Sequence, residues 1–151
     1  MSFRARLCRE LVQEDFGDFP AKVTHQLLLK GRLSLHDIVR FTKLTQRQVR
    51  ESLVTLIHHG IVYFTEPLEG QREPTYYQVE PVPVMMRLRI GSIMRVSEEQ
   101  FGKEASTICK LLYVNGRLRL QDLREWVAEN DGKPKTSMGK ILPSFQNGYN
   151  Q

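Results

Sequence analysis

A short phrase occurs twice in this chain of 151 residues, and it limits what the chain can fold into. "LLLKGRLSLHDIVRF" begins at Leu27, and "LYVNGRLRLQDLREW" repeats its layout. Gly31, Arg32, Leu33, Leu35 and Asp37 fall on Gly116, Arg117, Leu118, Leu120 and Asp122, an offset of 85, and Ile38 and Phe41 fall on Leu123 and Trp126. In each copy a helix ends at a glycine, the chain takes one extended step, and a new helix starts. Two copies of such a step predict two related modules in tandem, each built around a turn between helices.

The surrounding residues complete the first module. Phe3, Leu7, Cys8, Leu11, Val12 and Phe16 recur at helical spacing and predict a helix over 3–16 that stops at Gly17. Asp18 is the expected N-cap of a second helix, with Pro20 in its first turn and Val23, Leu27 and Leu28 on its buried stripe. Ser34 with Asp37, and Thr45 with Gln48, have the form that closes a helix N-terminus, so helices are expected over about 34–41 and from 45 to Gly60. The second of these carries Val49, Leu53, Leu56 and Ile57 on one face. "IVYFT" and "TYYQV", separated by a turn-rich stretch, then predict a β-hairpin over 61–79. Three helices followed by a hairpin are a winged helix, here with an extra helix in front.

The second copy departs from the first. Ser97-Glu-Glu-Gln100 has the capping form, so a long helix carrying Phe101, Ala105, Ile108, Cys109, Leu111 and Leu112 is expected to begin there. "MGKILPSFQNG" is the candidate recognition helix, with Pro143 inside it as a break or kink. No strands follow, so the chain is expected to be a fragment of a longer array. The fold expected is mainly α with a β-wing, in tandem extended winged helices of which the second is incomplete. Residues 1–80 form the first, 81–96 a linker and short helix, and 97–151 the second, without its wing. Met85, Met86 and Met94 are expected to pack between domains.

Charge gives the binding candidates. The net charge is +5, but residues 1–80 hold 11 Lys and Arg against 10 Asp and Glu, whereas residues 81–151 hold 11 against 7. Arg40, Lys43, Gln46, Arg47 and Arg50 lie on or near the exposed face of the first helix-turn-helix, where a winged helix meets a groove or phosphates. An ordinary solvated basic face is the alternative. The wing argues against autonomous DNA binding, because Glu66, Glu69 and Glu73 face Arg72 alone. Arg117, Arg119, Arg124, Lys133, Lys135 and Lys140 are denser and fit nucleic acid or an acidic partner better. His58-His59 ends a helix, where a cation complements the dipole.

Several function classes find no support. There is no glycine-rich phosphate loop, no nucleophile motif and no metal-ligand spacing, so no catalysis, cofactor, metal or small-molecule substrate is expected. No apolar run approaches the roughly 20 residues that span a bilayer, and no membrane role or secretion signal is expected. Cys8 and Cys109 stand singly and are expected to be buried free thiols.

The residues over 7–64 resemble a known family. Leu7-Cys8 and Leu11 leading to Glu14-Asp15-Phe16-Gly17, the Gly31-Arg32-Leu33 step, the phrase from Val49 to Leu56, and His59-Gly60-Ile61-Val62 are similar to the N-terminal extended winged helix of the large winged-helix subunit of RNA polymerase III. That subunit is distantly similar to the large subunit of TFIIE. The likeness continues more loosely through "MMRLRI" and the second Gly-Arg-Leu and fades after about residue 127. It implies a nuclear, non-catalytic part of the initiation heterotrimer. Such a subunit binds its two heterotrimer partners and the clamp of the largest subunit, touches promoter DNA weakly and non-specifically, and helps open promoters at genes for transfer RNA and other short RNAs. A stand-alone winged-helix regulator of transcription is the other reading.

Overall fold

The structure is a computed structural model in which residues 3–68, 70 and 73–130 are described. It divides into two compact units, Met1–Leu118 and Arg119–Gln151. In the first unit, helices α1 (Phe3–Phe16) and α2 (Asp18–Lys30) form a hairpin, followed by strand β1 (Leu33–Ser34), helices α3 (Leu35–Thr42) and α4 (Gln46–His58), and strands β2 (Val62–Thr65) and β3 (Tyr76–Val79). Helix α5 (Pro81–Met86), a 3₁₀ turn at Arg87–Arg89, and helices α6 (Ile90–Phe101) and α7 (Lys103–Asn115) complete it. Helix α8 (Leu120–Asn130) is the element described in the second unit.

Residues 3–79 are a winged helix. The sheet runs β1-β3-β2, all antiparallel, with Leu33 opposite Tyr77 and Val62 opposite Val79. The extended step of Gly-Arg-Leu therefore becomes the short strand that ties the helices to the wing. The core gathers Cys8 and Val12 of α1, Ala21, Val23 and Leu27 of α2, Ile38 of α3, and Val49, Leu53 and Leu56 of α4, with Ile61, Val62 and Val84. Each fully buried Val, Leu or Ile contributes about 1.5–3 kcal/mol relative to an exposed one, so this one cluster supplies most of the drive to fold. Phe3, expected on the buried stripe of α1, is 79% exposed, and no described residue of the core packs against it.

Helix starts follow the sequence in part. Thr45 and Gln48 form the reciprocal capping box: the Thr45 hydroxyl accepts from the Gln48 N–H at 3.2 Å, and the Gln48 side chain accepts from the Thr45 N–H at 3.0 Å. Ser34 caps α3 by accepting from the Asp37 N–H. Asp18, however, is not a cap. Gly17 holds that place with φ 89°, and the Asp18 carboxylate, already inside the first turn, accepts from the Gln13 amide at 2.8 Å.

The second copy is more helical than its sequence suggested. The capping form at Ser97 is overturned: α6 runs through it from Ile90, and the chain breaks at Gly102 (φ 94°) before α7 begins. Ile90, Ile93 and Met94 extend the apolar spacing backward, and the Ser97 hydroxyl lies 3.3 Å from the Cys109 thiol across the hairpin instead of capping. The resulting hairpin copies α1–α2. Gly17 and Gly102 have matching conformations, and Gly31 (φ 83°, ψ −141°) matches Gly116 (φ 80°, ψ −138°). Even the closing bonds agree, since Gly31 N–H donates to the Leu27 carbonyl and Gly116 N–H to that of Leu112, both at 2.9 Å. A positive φ is readily adopted only by glycine, which is why both helices end where they do.

Cys8 is fully buried and burial pushes its thiol pKa up, whereas Cys109 is only half-buried, since among the described residues of the first unit α6 and α7 have less cover than α1 and α2. Met85 packs against the core, Met94 is half-buried, and Met86 is exposed, pointing away from it. The candidate recognition helix near 138–148 lies outside the described residues. No helix among the described residues is long and apolar enough to cross a membrane.

Candidate nucleic-acid interface

Helical spacing sorts the candidate cations. Arg40 on α3 and Lys43 at its end are three residues apart and both exposed. Lys43 terminates α3 in the left-handed region (φ 57°), its N–H bonded to the Val39 carbonyl at 2.9 Å. On α4, Gln46, Arg47 and Arg50 are exposed along one side near the N-terminus, where the helix dipole adds positive potential. Arg47 forms an exposed pair with Glu51 one turn on, its Nε 2.8 Å from the carboxylate, which raises its pKa and partly offsets its charge.

Two cations that sequence reasoning passed over join this surface. Lys30 Nζ stands 5.3 Å from the Phe41 ring centroid and the Arg40 guanidinium 6.0 Å from the same ring, so the ends of α2 and α3 bring two positive charges to one aromatic. Arg32 lies over Tyr76 of the wing at 4.5 Å. The signal for Arg32 was present, since it is the counterpart of Arg117 in the repeated phrase. Gln46 also lines a shallow pocket with Ser34, His36, Val39, Thr75 and Tyr77. Glu66 and Glu73 of the wing are exposed, while Glu69 and Arg72 lie outside the described residues.

The later candidates divide between the units. Arg117, exposed at the end of α7, gives its backbone N–H to the His58 carbonyl at 3.1 Å. In the second unit Arg119 and Arg124 are exposed, and the Arg119 N–H donates to the Asp122 carboxylate at 3.3 Å, closing the start of α8. Lys133, Lys135 and Lys140 lie outside the described residues.

The histidine pair does not supply the expected cation at position 59. Burial, then Arg87 and His58, push the His59 pKa down to about 4 against a small opposing pull from Asp15, so the ring is neutral at ordinary pH. It packs edge-on against Phe16 with centroids 4.6 Å apart. Among the described residues no group of His, Cys, Asp or Glu is placed to hold a metal ion.

The family described as the RNA polymerase III subunit RPC82 helix-turn-helix domain matches residues 6–67, which are α1 through the start of the wing. Among curated relatives, the DNA-directed RNA polymerase III subunit RPC-3 of Coccidioides immitis is 30% identical over 148 residues, 98% of this chain and 21% of the relative. The corresponding subunit of Botryotinia fuckeliana is 31% identical over 117 residues, covering 78% of this chain and 17% of its own. That of Danio rerio is 27% identical over 124 residues, 82% of this chain and 23% of its own. The chain thus spans about a fifth of the length of the relatives it matches. A winged helix with a helix in front, at the residues the family match occupies, and relatives of one description across fungi and fish agree: residues 6–67 belong to the helix-turn-helix domain family of RNA polymerase III subunit RPC82, and the chain as a whole is similar to the subunits named RPC3.

Proposed function

We propose that the chain works as the winged-helix portion of a non-catalytic subunit of nuclear RNA polymerase III. In this reading it assembles with the initiation heterotrimer and the clamp of the largest subunit and supports promoter opening at genes for transfer RNA and other small RNAs. The observation that carries the reading is the likeness to polymerase III subunits over 98% of the chain. The site supports it: dispersed surface cations and an acidic wing suit an architectural subunit that meets DNA weakly, with the partners supplying position. Arg40, Lys43, Gln46, Arg47 and Arg50 are the DNA-facing candidates of the first module, joined by Lys30 and Arg32, and Arg117, Arg119, Arg124, Lys133 and Lys135 those of the second.

The second module is proposed to follow the plan of the first. Its front is the hairpin α6–α7, and its third helix is α8. The candidate recognition helix "MGKILPSFQNG", with Pro143 inside it, is the proposed counterpart of α4.

Co-expression tests the function. The 151-residue chain is expected to co-elute in gel filtration with the other two subunits of the polymerase III initiation heterotrimer. Separate elution at micromolar concentration overturns the proposed assembly.

A further inference from the structure

We propose that the 3₁₀ turn Arg87–Arg89 is a hinge and that Arg87 is the latch holding the hairpin α6–α7 in one orientation on the winged helix.

The hinge is local. A 3₁₀ turn between two α-helices has poorer hydrogen-bond geometry than its neighbours and often marks a point of bending. Leu88 and Arg89 are exposed, so the turn is not held by its own packing. Helix α6 beyond it contributes no buried residue. The hairpin therefore depends on contacts made elsewhere to stay in place.

Arg87 concentrates those contacts. Its guanidinium lies 4.9 Å from the Phe16 ring centroid and 4.2 Å from that of Tyr113, joining the end of α1 to α7 through one planar cation. Nε donates to the Asp15 carboxylate at 2.5 Å, and Nη2 to the Tyr113 carbonyl at 3.4 Å. The Arg87 side chain is only 12% exposed, so losing Asp15, which is itself partly open to water, leaves a largely covered cation without its partner. A lysine could not replace this geometry, because it lacks the flat face and the second donor direction. Beside it the neutral His59 packs on Phe16 and completes the enclosure.

A second contact braces the other side. Arg117 N–H donates to the His58 carbonyl at 3.1 Å, and a β-carbon at Gly116 would meet that carbonyl oxygen and the His58 ring at 2.7 Å. The end of α7 thus rests on the end of α4 with no room for a side chain. At Gly31, its counterpart, nothing stands within 4 Å, so the close approach belongs to this joint and not to the repeated turn.

The test measures distance distributions by double electron–electron resonance in the 151-residue chain, with spin labels on Val54→Cys of α4 and Lys103→Cys of α7, in a Cys109→Ser background. Cys8 is fully buried and does not compete for label. One narrow distance is expected. Arg87→Met keeps the stem and removes the cation, and it should replace that distance with a broad or longer distribution at unchanged helix content by circular dichroism. Gly116→Ala should do the same from the opposite side. A distribution left narrow by Arg87→Met overturns the latch, whatever Gly116→Ala does. If Arg87→Met loses the fold, Asp15→Asn takes its place: broadening with the fold intact supports the latch, and a retained single distance overturns it.

Discussion

Leu27 and Leu112 occupy the same position in the same turn of two helices that end in the same way, yet Leu27 is 2% exposed and Leu112 is 41% exposed. The carbonyls of both accept the bond that closes their helix. What differs is cover: α4 and the wing lie over the core that Leu27 joins, and among the described residues of the first unit nothing comparable lies over Leu112. Identical local structure thus carries very different stability.

Truncating the two leucines should reveal this. Leu27→Ala removes fully packed methyl groups and should cost about 2–5 kcal/mol, and Leu53→Ala on α4 the same. Leu112→Ala should stay within about 0.5 kcal/mol, as surface changes do. Urea unfolding of the three variants checks the ranking. Equal losses at Leu27 and Leu112 would show that the hairpin α6–α7 is covered in solution.

Gly31 isolates the cost of backbone conformation. Its φ is 83° and no atom would meet an added β-carbon, so Gly31→Ala should lose about 1–2 kcal/mol from the left-handed conformation alone. The melting temperature would fall by several degrees. An unchanged melt means that α2 can end without the left-handed step.

Acid should destabilise the fold through its histidines. His59 is held at about pKa 4, well below the roughly 6.5 of a free imidazole. Between those values the unfolded chain binds a proton that the folded chain refuses, so stability is full above about pH 7 and falls as pH drops toward 4. Burial, with Arg9 beside it, lowers His25 in the same direction. Urea midpoints at pH 7.5 and 5.0 should therefore differ, and His59→Gln should shrink the difference without abolishing it. A difference left whole by His59→Gln would assign it to His25.

Binding to duplex DNA by the chain alone should be weak and equal across sequences, with a dissociation constant no tighter than about 1 μM at physiological salt and a steep salt dependence. Arg47→Ala should matter least, because Glu51 already offsets that charge. Replacing Arg117, Arg119 and Arg124 together should weaken binding more than replacing Arg47 and Arg50. Selection from a random duplex pool at two salt concentrations provides the check. One enriched motif that depends on Arg50 would favour a sequence-specific regulator.

The sequence revealed those features whose cause is local. Gly17, Gly31 and Thr45 with Gln48 mark helix ends because the relevant bonds span only a few residues, and the β-branched run at Val62 marks the wing for the same reason. The same local logic misled at Ser97, where a capping form lies inside a helix whose true break is the glycine five residues on. Arg87 was not legible as a structural centre at all. Its partners lie 72 and 26 residues away, and no periodicity connects them. The binding face was half legible for a related reason: Arg40 and Arg50 follow from helix phase, whereas Lys30 joins Arg40 only because two helices end beside one ring.

The strand order has a consequence for handling the chain. With β3 in the middle, β2 is an edge strand, and Tyr63 and Phe64 stand exposed along it. Such a margin invites strand-to-strand self-association, which proteins limit by keeping edges short and placing charge beside them. Here β2 has four residues and Glu66 follows it directly. A charge set beside so short an edge works against pairing between copies of the chain.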